Sequence, residues 1–115
     1  MLKISDTKTA LEIFENACIK QAEATEQGDY KSANKNYNLI VKSATYLKDE
    51  NAINSLKDFL SNLNVGVRLW SACYWLPINE QEGIDVLNEI VKEPGIHSLT
   101  AEMTITGWKK GSLKF

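Results

Sequence analysis

Leu63-Asn64-Val65-Gly66-Val67-Arg68-Leu69-Trp70-Ser71-Ala72-Cys73-Tyr74-Trp75-Leu76-Pro77 is the stretch on which the fold turns. Val65, Leu69, Ala72 and Leu76 form one apolar row at helical spacing, and Val67, Trp70, Cys73 and Tyr74 form a second. A helix apolar around most of its circumference belongs in the middle of a protein. Asn64 supplies an N-cap, and Pro77 is expected to end the helix by biasing Leu76 away from helical geometry. Only the strip Asn64, Arg68, Ser71 and Trp75 is left to face outward. The same layout returns at an interval of 33 residues, where Ile96-His97 to Trp108 echoes Leu63-Asn64 to Trp75, each tryptophan 12 residues beyond the start of its unit. A weak repeat of that period indicates stacked helical hairpins, which present a continuous surface to another macromolecule.

Working outward, Ser5, Asp6 and Thr7 are three N-cap candidates for a first helix. Ala10, Leu11, Phe14, Ala17, Cys18 and Gln21 recur in it three or four positions apart. Gly28 should stop that helix in the left-handed conformation, and Asp29 can cap the next one directly, so the two lie side by side. Ala33, Tyr37, Ile40, Val41, Ala44 and Leu47 give the second helix its buried stripe. Asp49 is the expected cap of a third helix carrying Ala52, Ile53, Leu56, Phe59 and Leu60, which the polar Ser61-Asn62-Leu63-Asn64 interrupts. Asn79 opens a fifth segment with Glu80 and Glu82 in its first turn, where carboxylates favour the helix dipole, and Ile84, Leu87, Ile90 and Val91 turn inward. Pro94-Gly95 closes it. From Leu99 to Thr106 apolar and polar residues alternate strictly, the mark of a strand. Yet Ala101, Ile105 and Trp108 sit at helical spacing, Ser98 can cap, and a lone strand would have no neighbour to pair with, so helix is preferred. The expectation is one all-α domain over residues 1–115, an α-α superhelix of five or six helices stacked right-handed.

Composition removes several classes of function. The chain has 13 basic and 15 acidic residues, a net charge of -2, so it offers no general attraction to a phosphate backbone. Twelve of the bases are lysines and only Arg68 is an arginine, so the forked contacts that read bases are nearly missing and no nucleic-acid partner is expected. No apolar run approaches the roughly 18 residues that span a bilayer. Met1-Leu2-Lys3-Ile4-Ser5-Asp6 has neither a signal-peptide core nor a cleavage site, so the expected place is the cytoplasm, with no membrane partner. Cys18 and Cys73, far apart and on apolar faces, read as buried free thiols. The glycines at 28, 66, 83, 95, 107 and 111 form no phosphate cradle, and no cofactor is implied.

Parts of the chain resemble known families. Leu63 to Ala72 resembles the second helix of a HEAT repeat, in which a short polar turn precedes a Val-Arg pair and small residues follow. Ala17-Cys18, Gly28-Asp29-Tyr30-Lys31-Ser32-Ala33-Asn34, Val67-Arg68-Leu69-Trp70, Ala101-Glu102-Met103-Thr104 and Trp108-Lys109-Lys110-Gly111 together resemble a small bacterial domain family of unknown function with HEAT-like helical hairpins. The resemblance spans nearly the whole chain. It implies an α-α solenoid fragment used for binding, with no catalytic residues to carry over. Some small bacterial domains of this general kind are immunity proteins that block a toxin.

The individual residues fit a non-catalytic binding module better than an enzyme. Arg68 either anchors a carboxylate on a partner or forms an intramolecular ion pair with an acid such as Asp85 or Glu102, and the internal tie is preferred. Trp70 and Tyr74 should pack inward, while Trp75 and the equivalent Trp108 are candidates for exposed anchors. His97 has no second ligand nearby and reads as a surface loop or cap residue, not a metal ligand. Glu12 with Glu15, and Glu23 with Glu26, share helix faces, but lie among solvated residues that leave both carboxylates ionised. Lys109, Lys110 and Lys114, interleaved with Trp108 and Phe115, offer either a contact for an acidic partner or RNA or dipole partners for a helix C-terminus, and the dipole role is preferred. The expected contact surface is Arg68, Ser71 and Trp75 with Glu102, Trp108 and Lys109. The expected partner is a protein, with a toxin as one form and steric occlusion of its active site by acidic side chains as the mechanism. The alternatives are a HEAT-like scaffold module of an enzyme or nucleic-acid-processing system, and a structural homodimer subunit.

Overall fold

The structure is a computed structural model and describes residues 3–115; the reading of Met1-Leu2 lies outside the described residues. Its elements are α1 (Thr7–Gln27), α2 (Tyr30–Asp49), a 3-10 helix (Ile53–Ser61), α3 (Val65–Trp75), α4 (Glu80–Val91) and α5 (Ile96–Lys109). Among the described residues there is no strand, and the six helices match the all-α expectation. The segment with strand-like alternation is helical. Wound as a helix, alternate positions fall about 200° apart, so a period of two sends Ala101 and Ile105 inward and Leu99 and Met103 outward.

Local chemistry sets most boundaries. Asp6 accepts a hydrogen bond from Thr9 N at 2.7 Å and starts α1. Gly28, at φ 72°, ends it, with Asp29 N donating to Ala24 O at 2.8 Å. Asp29 then accepts from Ser32 N at 3.1 Å and starts α2 without an intervening loop. Asn64 accepts from Gly66 N and Val67 N at the head of α3, and Asn79 accepts from Glu82 N at the head of α4.

Four local expectations fail. Asp49 is the last residue of α2 and caps nothing further, and the following segment, opened by Ala52, is a 3-10 helix. The reason lies in the spacing of Ile53, Leu56 and Phe59, which is three throughout. In a helix of about 3.0 residues per turn these side chains stack on a single line. Helix α3 ends at Trp75, just before Pro77 as expected, but Leu76 itself keeps right-handed helical angles (φ -52°, ψ -45°), because its N–H still reaches Ala72 O and its side chain is buried. Ser98 does not cap α5; its hydroxyl donates instead to Val91 O at 2.7 Å and ties α5 back to α4. Tyr37, expected in the stripe of α2, is 43% exposed and leans on the Trp70 ring at 5.5 Å.

Helix α3 runs through the centre and packs against α1, the 3-10 helix, α4 and α5. On one side lies a cluster with Phe14, Ile40, Leu47, Leu56, Val67 and Tyr74; Phe14 stacks on Phe59 at 5.9 Å and meets Tyr74 edge-on at 6.1 Å. On the other side Leu69, Ala72 and Leu76 pack with Ile84, Leu87, Ile90 and Ala101. Leu60 and Phe115 touch both clusters. Gly66 makes the α1–α3 crossing possible. A Cβ there would stand 2.5 Å from Cys18 O and 2.7 Å from Ala22 Cβ, closer than side chains come. Cys18 and Cys73 are both free and buried, as expected.

Candidate functional site

The strip expected to face outward on α3 is largely enclosed. Ser71 is fully buried, and its hydroxyl donates to Val67 O at 2.7 Å. Trp75 is 5% exposed; its ring lies under Lys57 Nζ, and its indole N–H donates to Glu82 Oε1 at 3.4 Å. Arg68 is half-buried and makes a fork with Glu93, Nη1 to Oε2 at 2.7 Å and Nη2 to Oε1 at 3.4 Å. The internal ion pair is therefore real, with Glu93 in place of Asp85 or Glu102. Ser71 and Trp75 failed as a surface because the outward arc of α3 meets α4 and the 3-10 helix, and Arg68 is drawn to Glu93 in the loop before α5. Sequence period alone does not reveal what covers an arc.

The two tryptophans of the 33-residue echo are tied to one place. Trp108 Nε1 donates to Glu80 Oε1 at 2.6 Å, so both indoles end on carboxylates of the first turn of α4. Glu82 also pairs with Lys57 of the 3-10 helix. The Lys57 hydrogen bond, and then that of the Trp75 indole, hold the Glu82 carboxyl below its usual range. Arg68 does the same for Glu93, with His97 adding a smaller effect. Trp108 is half-buried, stacked on Phe115 at 6.4 Å.

His97 is not a surface loop residue. It is 9% exposed, in the first turn of α5, and its Nε2 lies 2.7 Å from Glu26 Oε2 at the far end of α1. The contact joins residues 71 apart in sequence and pins the start of the last helix to the end of the first. Among the described residues no group of three or more His, Cys, Asp or Glu side chains is placed to hold a metal ion. Burial pushes the Cys18 thiol well up and the Cys73 thiol up to about 12, so both are protonated at neutral pH. No helix among the described residues is long and apolar enough to cross a membrane.

What the chain does leave open is the outer face of α5. Leu99 is 58% exposed, Met103 64% and, at the start of the helix, Ile96 47%. Leu99, Met103, Thr106 and Lys110 follow one another at helical spacing, all exposed. Glu102 and Lys109 stand exposed on one flank of this stripe and make no ion pair among the described residues. On the other flank a cleft of about 420 Å3 is lined by Thr100, Met103, Thr104, Gly107, Ser112 and Leu113. Of the expected contact residues, Glu102 and Lys109 thus share an open face, Trp108 lies at its inner edge, and Arg68, Ser71 and Trp75 do not belong to it. Leu99 and Met103 were missed, although the alternation from 99 to 106 marks them once that segment is wound as a helix.

No family model matches the chain, and no curated protein matches it in sequence. The fold is similar to the crystal structure of the protein RPA1889 from Rhodopseudomonas palustris CGA009, with a TM-score of 0.85 and 20% sequence identity over 98% of this chain and 99% of that one. At that identity the likeness is one of fold.

Proposed function

We propose that the chain is a non-catalytic protein-binding module whose contact surface is the outer face of α5. The observation that carries this reading is the exposure of Leu99 and Met103, one turn apart on a helix whose opposite side packs on α3 and α4. Two large apolar side chains held out by a rigid helix, beside a cleft and flanked by charges of both signs, match the plan of an apolar centre with a polar rim. The narrower form is an immunity protein that occludes a bacterial toxin; its support is the resemblance of the sequence to small bacterial helical domains of that kind.

The test places a photo-reactive residue at position 99, and as a control at the exposed Lys20 of α1, and irradiates each in extract of cells that carry the chain natively. The expected result is a discrete protein adduct from position 99 only, lost when Met103→Asp is added. Equal labelling from 99 and 20, or no adduct from 99, overturns the reading.

A further inference from the structure

Resting on the reading of α5 as a contact face, we propose that the protein covering it is a second copy of this chain, docked antiparallel through α5 about a two-fold axis near Thr106. The charges select this arrangement. In an antiparallel pair related by a two-fold axis, each flank of one helix meets the same flank of the other. Glu102 and Lys109 lie on one flank, seven residues and about 10 Å apart along the helix. With the axis halfway between them, Glu102 of each copy comes level with Lys109 of the other, so two reciprocal ion pairs form at once. A parallel pair would set that flank against Thr100 and Gly107, leaving both charges unmatched.

The apolar stripe fits the same axis. Met103 of one copy comes level with Gly107 of the other, on the flank where Leu113 folds back over Gly107 and the cleft between Gly107, Ser112 and Leu113 opens. Leu99 reaches just past the end of the second copy's α5, beside the turn at Lys110 and Gly111. Thr106 of each copy faces its own counterpart. A contact of one helix face is at the small end of specific interfaces, which points to a dissociation constant on the order of 10–100 μM.

Sedimentation velocity from about 1 to about 500 μM brackets that range. The wild type should pass from monomer to dimer across it. Glu102→Lys and Lys109→Glu should each weaken the dimer about tenfold, and the two combined should restore it to within about threefold of the wild type. Thr106→Cys should give a disulfide-linked dimer on mild oxidation, since both native thiols are buried. A monomer at every concentration overturns the proposal, as does a dimer indifferent to the single reversals or a double reversal no tighter than the singles. If position 99 then still crosslinks to a different protein, the contact face stands and the second copy falls. If position 99 labels nothing, both fall.

Discussion

Helices α3 and α5 carry the two halves of the same sequence echo, yet one is enclosed on nearly every side and the other has a bare face. The contrast is sharpest at Gly66 and Leu99, which occupy equivalent positions in the two units, 33 residues apart. At position 66 a side chain would strike the backbone of α1, so only glycine fits. At position 99 no helix lies opposite, and a leucine is 58% exposed. Each is fixed by the helix that does or does not lie across from it. An echo in sequence therefore does not carry the surroundings of a helix with it.

Exchanging the two residues should break this comparison in proportion. Gly66→Leu forces a side chain against Cys18 O and Ala22, and α1 cannot move without dragging Phe14 from its stack with Phe59. A loss of roughly 3 kcal/mol or more is expected in urea unfolding. The mirror change, Leu99→Gly, removes no buried contact and should cost only the helix propensity of an exposed site, about 1 kcal/mol. Equal losses at the two sites would mean that α5 is covered in the folded monomer or that α1 and α3 are not in close contact.

Most caps were legible because each is a short-range matter, though Asp49 and Ser98 cap nothing. Gly28, Asp29, Asn64 and Asn79 act on backbone groups within a few residues and stand where the sequence places them, and Asp6 is the one of three candidates that caps α1. The central burial of α3 was legible too, since two apolar rows leave little circumference to expose. The 3-10 helix was missed because apolar residues three apart also satisfy a helix of about 3.6 residues per turn over so short a span. The enclosure of Ser71 and Trp75 was missed for a different reason. Ser71 satisfies its own hydroxyl on the preceding turn, and the Trp75 indole finds Glu82, so a polar strip could be buried at no loss of hydrogen bonds. The open face of α5 was written in the alternation from Leu99 to Thr106, but became readable only once the segment was known to be helical.

The smallest effect expected from the comparison lies in the acid limb of stability, where the enclosed helix should feel pH through Arg68. Glu93 has its carboxyl held below the ordinary value of 4.5 by the Arg68 fork. A carboxylate depressed in the folded state adds stability above its unfolded pKa, and that stability is lost as pH falls through the folded value. The wild type should therefore lose stability from about pH 4.5 downward. Arg68→Gln should be less stable at pH 7 and lose less on acidification, because Glu93 then titrates nearly alike in both states. Glu93 is 41% exposed, so solvent screens the pair and the difference between the two curves should be small. Asp6 and Glu82 are also depressed, but by Thr9 and by Lys57, and they contribute the same acid loss to both proteins. The gap between the curves thus isolates the tie from α3 to the loop before α5. Urea unfolding at steps from pH 7 to pH 3 measures it, and parallel curves would show that Arg68 holds Glu93 no more firmly than water does.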